Sequence, residues 1–189
     1  MLRQVAPRRF SVDEFQRMAS AGVFDEDDRL ELLEGEIIQM NPVGRRHVVT
    51  VNRLNRLFAR VFGERVLISV QNPLVLDPAT EPQPDLVLLR PREDDYEHSL
   101  PTGSDAYLVV EVADTTVVYD TTRKARAYAR AGVPWLWVVA LGRAAPRDRV
   151  LVFGDPVEGS YTVRQHADRG DVLTVPGLAD VSIAISDFL

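Results

Sequence analysis

Three residues set what this sequence can do chemically. Glu111 is the one carboxylate inside an otherwise apolar run, Ala106–Ala113 (AYLVVEVA). Asp85 follows Pro84 at the mouth of a second apolar run, Leu86–Leu89, and Lys124 lies in the polar and helical stretch after the first run. A charge in an apolar strand is costly unless a counter-ion, hydrogen-bond donors or a metal compensates it. Asp85 and Glu111 stand 26 positions apart, so if their strands are neighbours the two carboxylates converge. Two such groups held close together do not both stay ionised without a cation. With no cysteine and three histidines, a hard divalent ion with oxygen ligands, Mg²⁺ or Mn²⁺, suits the pair better than zinc. Lys124 at the same mouth would suit phosphodiester hydrolysis, in which an ion activates water and a lysine orients it or stabilises developing charge. The competing reading makes Asp85 a cap at the strand's start and pairs Glu111 with an arginine. It leaves Lys124 in solvent with an i,i+4 partner in Asp120.

Those residues need elements to position them. Ser11 and Glu14 have capping-box spacing and Gly22 is a natural stop, which predicts a helix over about 12–20. Leu30–Met40 reads as two short strands around a Glu34-Gly35 turn, placing Glu31 and Glu36 on a hairpin at an edge. From His47 to Phe62 apolar residues recur at three- and four-residue steps with Arg53, Arg56 and Arg60 between them, a long helix with one buried and one basic face. Runs at 66–70, 73–76 and 86–89 read as strands, and 91–104 as an exposed loop. The strand 106–113, apolar on both faces, is followed by a helix capped at Asp120 or Thr121 and stopped at Gly132. The Trp135–Val139 strand then completes a βαβ-like unit. Runs at 149–153, 160–165 and 172–175 predict an antiparallel meander. The fold class is α/β or α+β, a mixed sheet flanked by helices.

Length, at 189 residues, predicts a single domain over 1–189, with 1–9 a flexible N-terminal segment. No stretch approaches the roughly 20 apolar residues of a membrane span, and the N-terminus lacks the apolar run of a signal peptide, so no membrane association and a cytoplasmic location are expected. The absence of cysteine excludes disulfides and thiolate sites. The net charge of −6 argues against indiscriminate binding of polyanions, but charge is segregated. Residues 25–36 hold seven acids against Arg29, whereas 45–65 hold six arginines against Glu64, which makes the second segment the candidate polyanion surface. A basic face that merely balances the acidic hairpin is the alternative. His47 is either a phosphate or site residue or a structural hydrogen-bonder. Tyr128, four residues after Lys124, either supports the site or packs in the core, and Trp135 and Trp137 are expected to be buried.

Several segments taken in order resemble the Uma-type endonuclease family of the PD-(D/E)xK restriction-endonuclease-like superfamily. They are RLELLEGEIIQM at 29–40, His47 opening a helix, Gln83-Pro84-Asp85-Leu86-Val87, Val109-Val110-Glu111-Val112, and Asp120 through Lys124 to Tyr128-Ala131-Gly132-Val133. The resemblance runs from about Phe10 to Leu189. It implies a restriction-endonuclease-like mixed sheet with an N-terminal helix and hairpin and a C-terminal antiparallel extension. It also implies Asp85, Glu111 and the Val112 carbonyl as Mg²⁺ or Mn²⁺ ligands. The superfamily's usual lysine position, two after the acid, is Ala113 here, and Lys124 on the next helix matches the family instead. Glu31 matches an acid of the opening hairpin, and His47 and Gln83 match further family positions. The chain departs from the family at Ala113-Asp114-Thr115-Thr116 after the acid and at Ala140-Leu141 after the Trp strand.

These readings predict a metal-dependent endonuclease acting on DNA, with RNA as a possible substrate, in which Asp85, Glu111, Lys124 and Glu31 carry catalysis. The alternative is a catalytically silent module of the same fold that binds nucleic acid or a protein partner. A third reading is a homodimer joined through the hairpin and arginine helix.

Overall fold

The computed structural model describes residues 6–25, 27–142, 148–178 and 180–189. Of the segment 1–9 expected to be flexible, residues 1–5 lie outside the described residues, while Arg8 and Arg9 pair with Glu14 and Glu36. Helix α1 (Val12–Ser20) begins where predicted. The Ser11 hydroxyl accepts from the Glu14 N–H and the Glu14 carboxylate accepts from the Ser11 N–H, so both terminal donors are satisfied. Its Val12 and Phe15 pack on Leu32 of β1 (Leu30–Leu33). Strand β2 (Glu36–Gln39) pairs antiparallel with β1. Glu34 and Gly35 between them both adopt positive φ, 51° and 76°, the turn whose twist matches a two-residue hairpin.

This hairpin forms a sheet of its own rather than an edge of the main one. Two backbone bonds, Leu32 N–H to Glu81 O at 3.1 Å and Glu81 N–H to Leu32 O at 2.7 Å, stitch it to the 77–82 segment. Helix α2 (Arg45–Phe62) starts two residues before His47 and buries Val51, Leu54 and Phe58 on the face its periodicity predicts, while Val48 at the start of that pattern is exposed and Phe62 is buried beyond it.

The main sheet has six strands in the order β3 (Leu67–Val70), β4 (Leu86–Leu89), β5 (Ala106–Ala113), β6 (Trp135–Ala140), β7 (Arg149–Val157) and β8 (Ser160–Asp168). Neighbours are antiparallel except β5 and β6, which run parallel as the βαβ-like reading expects. The connection between those two is α3 (Val117–Tyr119), a π turn over Asp120–Lys124, and α4 (Ala125–Arg130). Alternation divides each central strand between two cores. Leu86, Leu88, Leu108 and Val110 pack on Leu54 and Phe58 of α2. Val87, Leu89 and Val109 pack on Ala125, Tyr128 and Ala129 of α4.

Three expectations need correction. Residues 73–76 are not a strand. Pro73 has no N–H, the chain turns at Gln71 with φ 53°, and the amides of Leu74 and Val75 donate to the carbonyls of Pro82 and Pro101 in neighbouring loops. The helix after β5 begins at Val117, so Asp120 lies inside it and is not its cap. The C-terminal run is not one meander, because β9 (Val172–Thr174) leaves β8 and pairs with β10 (Ser182–Ala184).

The β6–β7 pair sets a steric limit. Trp135 sits opposite Gly154, and a Cβ built there would stand 2.1 Å from the indole. Gly154→Ala should therefore cost about 1–3 kcal/mol through overpacking. A urea titration should show a lowered midpoint at unchanged slope, whereas Gly170→Ala, with nothing within 4 Å of the new methyl, should leave the midpoint in place.

Candidate active site

Strand β4 runs antiparallel to β5 with Leu86 opposite Val110, which sets Asp85, one residue before β4, beside Glu111 near the end of β5. Both acids fall on the alternation of Val87, Leu89 and Val109, the α4 side of the sheet. A cleft of about 610 Å³ opens there. Glu31, His47, Gln83, Asp85, Glu111, Val112 and Lys124 all line it, together with the 40–44 connection that forms one wall. Every predicted site residue but Tyr128 is on that lining. Tyr128 lies underneath, fully buried, and donates its hydroxyl to Glu111 Oε1 at 2.6 Å.

Lys124 is the centre of this arrangement. Its ammonium is 4% exposed and stands 2.9 Å from Glu111 Oε1 and 2.9 Å from Glu31 Oε2. The competing expectations, an arginine partner for Glu111 and a solvated Lys124, are therefore not met. Asp85 is held separately. His47 Nε2 is 3.0 Å from its Oδ2, the Val112 N–H donates to the same oxygen at 2.8 Å, and the Gln71 amide donates to Oδ1 at 3.1 Å. His47 Nδ1 is buried and has no partner among the described residues, as is Asp114 Oδ1 on the same cleft. Gln83 reaches Glu31 with its backbone N–H, at 3.5 Å, and Tyr119 donates its hydroxyl to Glu31 Oε1 at 3.4 Å.

Electrostatics follow from four acids facing one ammonium. Burial pushes the Glu111 carboxyl up to about 8; Lys124 opposes the shift, and the charges of Asp120, Asp85 and Glu31 add to it. Burial alone would lower Lys124, but Glu111, Glu31 and Asp120 hold its pKa above the ordinary lysine value, so the ammonium stays charged. Burial and the neighbouring acids thus favour the protonated form of Glu111, while the same acids favour the charged form of Lys124. Asp120 is raised by burial despite Lys124 and the hydroxyl that Thr116 donates to it at 2.6 Å. Asp85 goes the other way, because the bonds from His47, Val112 and Gln71 outweigh its burial.

A surplus of acids around one ammonium is a place where a hard cation could fit, and the donors are oxygens. Among the described residues no three acid, imidazole or thiol side chains form a ready-made cage.

Sequence reasoning had missed four contributors. Asp120 is expected from the sequence only as a helix cap or as an i,i+4 partner of a solvated Lys124. Gln71, Tyr119 and Thr116 had no signal, since each acts through a turn or helix geometry that spacing did not reveal.

The fold, a mixed sheet flanked by helices, is similar to that of a solved nuclease-like protein. A solved structure described as "a putative nuclease belonging to DUF820 from Anabaena variabilis" is similar at a TM-score of 0.69. It is 16% identical, and the match covers 95% of this chain and 97% of that one. The chain belongs to the Uma2 family, described as "Putative restriction endonuclease", with residues 12–186 matched. Comparison with curated proteins gives no significant match.

The raised Glu111 predicts a pH effect. The folded state keeps a proton that the unfolded chain, at an ordinary carboxylate value near 4.5, has lost, so stability falls as pH rises from about 5 to about 8. Denaturant titrations in metal-free buffer across that range should show Glu111→Gln with a slope shallower by up to about 1.4 kcal/mol per pH unit. Parallel curves for the two proteins would mean that Glu111 is ionised throughout.

Proposed function

We propose that this chain is an endonuclease that hydrolyses phosphodiester bonds of DNA with the help of Mg²⁺ or Mn²⁺. One observation carries the reading: a buried ammonium, Lys124, held 2.9 Å from each of two carboxylates at the mouth of a cleft that also contains Asp85. Membership in a family described as restriction endonucleases supports DNA as the substrate class.

In this mechanism Asp85, Glu111 and the backbone carbonyl of Val112 would hold the divalent ion. When bound, the ion activates water and neutralises phosphate charge. His47, Gln71 and the Val112 N–H keep the Asp85 carboxylate ionised and aimed, which their hydrogen bonds favour. Tyr128 fixes Glu111 from below, so the carboxylate meets the cleft from one direction. Lys124 orients the attacking water and offsets charge developing on the phosphoryl oxygens, a role that calls for a preorganised, desolvated cation. Glu31 is the auxiliary acid that keeps Lys124 charged and positioned. Burial of both partners matters because electrostatic stabilisation is worth more away from water.

Full-length protein incubated with supercoiled plasmid and Mg²⁺ or Mn²⁺ should nick or linearise it, and a chelator should stop the reaction. Asp85→Ala and Lys124→Ala should each lower the rate by about 10²-fold or more with folding retained by circular dichroism. Glu31→Gln should cost less, because Glu111 remains beside the ammonium. Cleavage that survives both alanine substitutions would sink the mechanism. RNA oligonucleotides assayed in parallel decide the substrate, and binding without turnover in every metal would favour a silent nucleic-acid-binding module.

A further inference from the structure

The lining of the cleft is lopsided in charge. Glu31, Asp85, Glu111, Asp114 and Asp120 face one lysine and one arginine, Lys124 and Arg29. Lys124 is already held between Glu31 and Glu111, 2.9 Å from each. Arg29 is half-buried, and among the described residues it forms no ion pair. Its side chain donates only a long bond there, from Nη1 to the Asn41 carbonyl at 3.4 Å, which leaves most of the guanidinium donors uncommitted.

The hairpin explains why this side chain lies at the cleft. Arg29 stands immediately before β1, and its carbonyl accepts from the Met40 N–H at 2.8 Å, which carries the β1–β2 ladder one step past Leu30 and Gln39. Alternation then puts Arg29 on the same face as Glu31, two positions along. That face is the cleft face, because Glu31 Oε2 meets Lys124 there. Glu31 is 1% exposed and Arg29 half-buried, so the arginine lies nearer the mouth. Two residues of strand span about 7 Å, which sets the base of Arg29 that far from the carboxylate holding Lys124.

We infer that Arg29 is a substrate-binding residue that grips a phosphate flanking the one attacked, and so sets the strand against Lys124 and the acids. The inference rests on the nuclease reading of the cleft and names the side chain that holds the substrate there. An offset of about 7 Å corresponds to roughly two nucleotide steps at about 3.4 Å of axis each, so Arg29 meets a neighbouring phosphate and not the reacting one. A guanidinium suits the task, with a fork of donors and a charge that persists at any physiological pH. Such a contact positions a strand without reading its bases. The competing role, bracing the 40–44 wall through Asn41, needs a donor but no charge.

The test separates charge from bracing. Fluorescence anisotropy of a labelled DNA duplex with the full chain, in chelator, is followed over a salt series, and steady-state cleavage of the same duplex in Mg²⁺ gives kcat and KM. Arg29→Gln keeps a donor for Asn41 and loses the charge, Arg29→Met is a second neutral variant that keeps an apolar stem, and Arg29→Lys keeps the charge without the fork. Arg126→Gln, an exposed arginine away from the cleft, is the control. Both neutral variants should bind about five- to tenfold more weakly at about 0.1 M salt, with the slope of log K against log salt reduced by about one. KM should rise by a similar factor while kcat changes less than about threefold. Arg29→Lys should keep the wild-type slope, and the control should follow the wild type throughout. An unchanged slope in the neutral variants, a loss in kcat at unchanged KM, or an equal loss in Arg126→Gln would each overturn the inference. A wild type that binds with an Arg29-dependent slope yet never cleaves would refute the nuclease reading alone. Cleavage by a wild type whose slope Arg29→Gln leaves unchanged would refute the role of Arg29 alone, and a wild type that neither binds nor cleaves would refute both.

Discussion

Lys124 has almost no water available to it, and the architecture around the cleft follows from that. A buried ammonium is tolerable only when partners are already in place, because a charge left alone in the interior costs several kcal/mol. Its partners come from separate parts of the chain, Glu31 from the hairpin and Glu111 from the central strand, while Lys124 itself sits in a π turn. The contact therefore joins three segments that are distant in sequence. The hairpin, which shares no strand pairing with the main sheet, is thereby tied to the centre of the molecule. The same interaction leaves a residue of unbalanced charge, since Asp85 and Asp120 also face the site. Stability is given up here and recovered in the two apolar layers on either side of the sheet.

Topology explains why the acids meet. An antiparallel pair brings the beginning of one strand to the end of its neighbour, and opposite residues share a face. Asp85 before β4 and Glu111 late in β5 satisfy both conditions. The parallel β5–β6 step then requires a crossover, and its first turns pass over the ends of those strands, where Lys124 and Tyr128 point back at Glu111. Helix α2 belongs to the opposite layer, yet its first turn reaches the same end of the sheet and His47 bonds Asp85. Wide π turns recur at functional positions in helices. The one here keeps Asp120 and Lys124 both buried.

What the sequence revealed was the part governed by short-range rules. The capping box of α1, the Glu34-Gly35 turn, the periodicity of α2 and the apolar runs of β4, β5 and β6 are local signals, and the structure places those elements close to their predicted bounds. The lone carboxylate in β5 marked Glu111 as a charge needing compensation, which Lys124 and Tyr128 supply. What stayed hidden depended on contacts distant in sequence. Pairing of β9 with β10 required knowing that the chain leaves β8 after Asp168. Gln71 holds Asp85 from a left-handed turn that no propensity specifies for glutamine. Asp120 was misassigned because a helix start and a helix interior look alike when the preceding residues, Val117 to Tyr119, are β-branched or aromatic and argue weakly for helix.

Net charge is the least informative quantity in this protein. At −6 the chain should repel a polyanion, and the cleft with its surplus of carboxylates should repel one more strongly. Yet screening at physiological salt confines each charge to about 8 Å, so a partner senses patches and not the sum. Much of the acidic excess is spent internally: Glu34 and Glu36 on Arg9, Arg123 and Arg130, and Glu31 and Glu111 on Lys124. Arg45, Arg53, Arg56 and Arg60, which form no ion pair among the described residues, present a positive face on the side of α2 turned away from the sheet. A divalent cation would remove the remaining repulsion at the cleft itself. For an acidic ligand, approach and reaction would have separate electrostatic requirements, because the exposed cations and the buried acids lie on different parts of the molecule and are screened from one another.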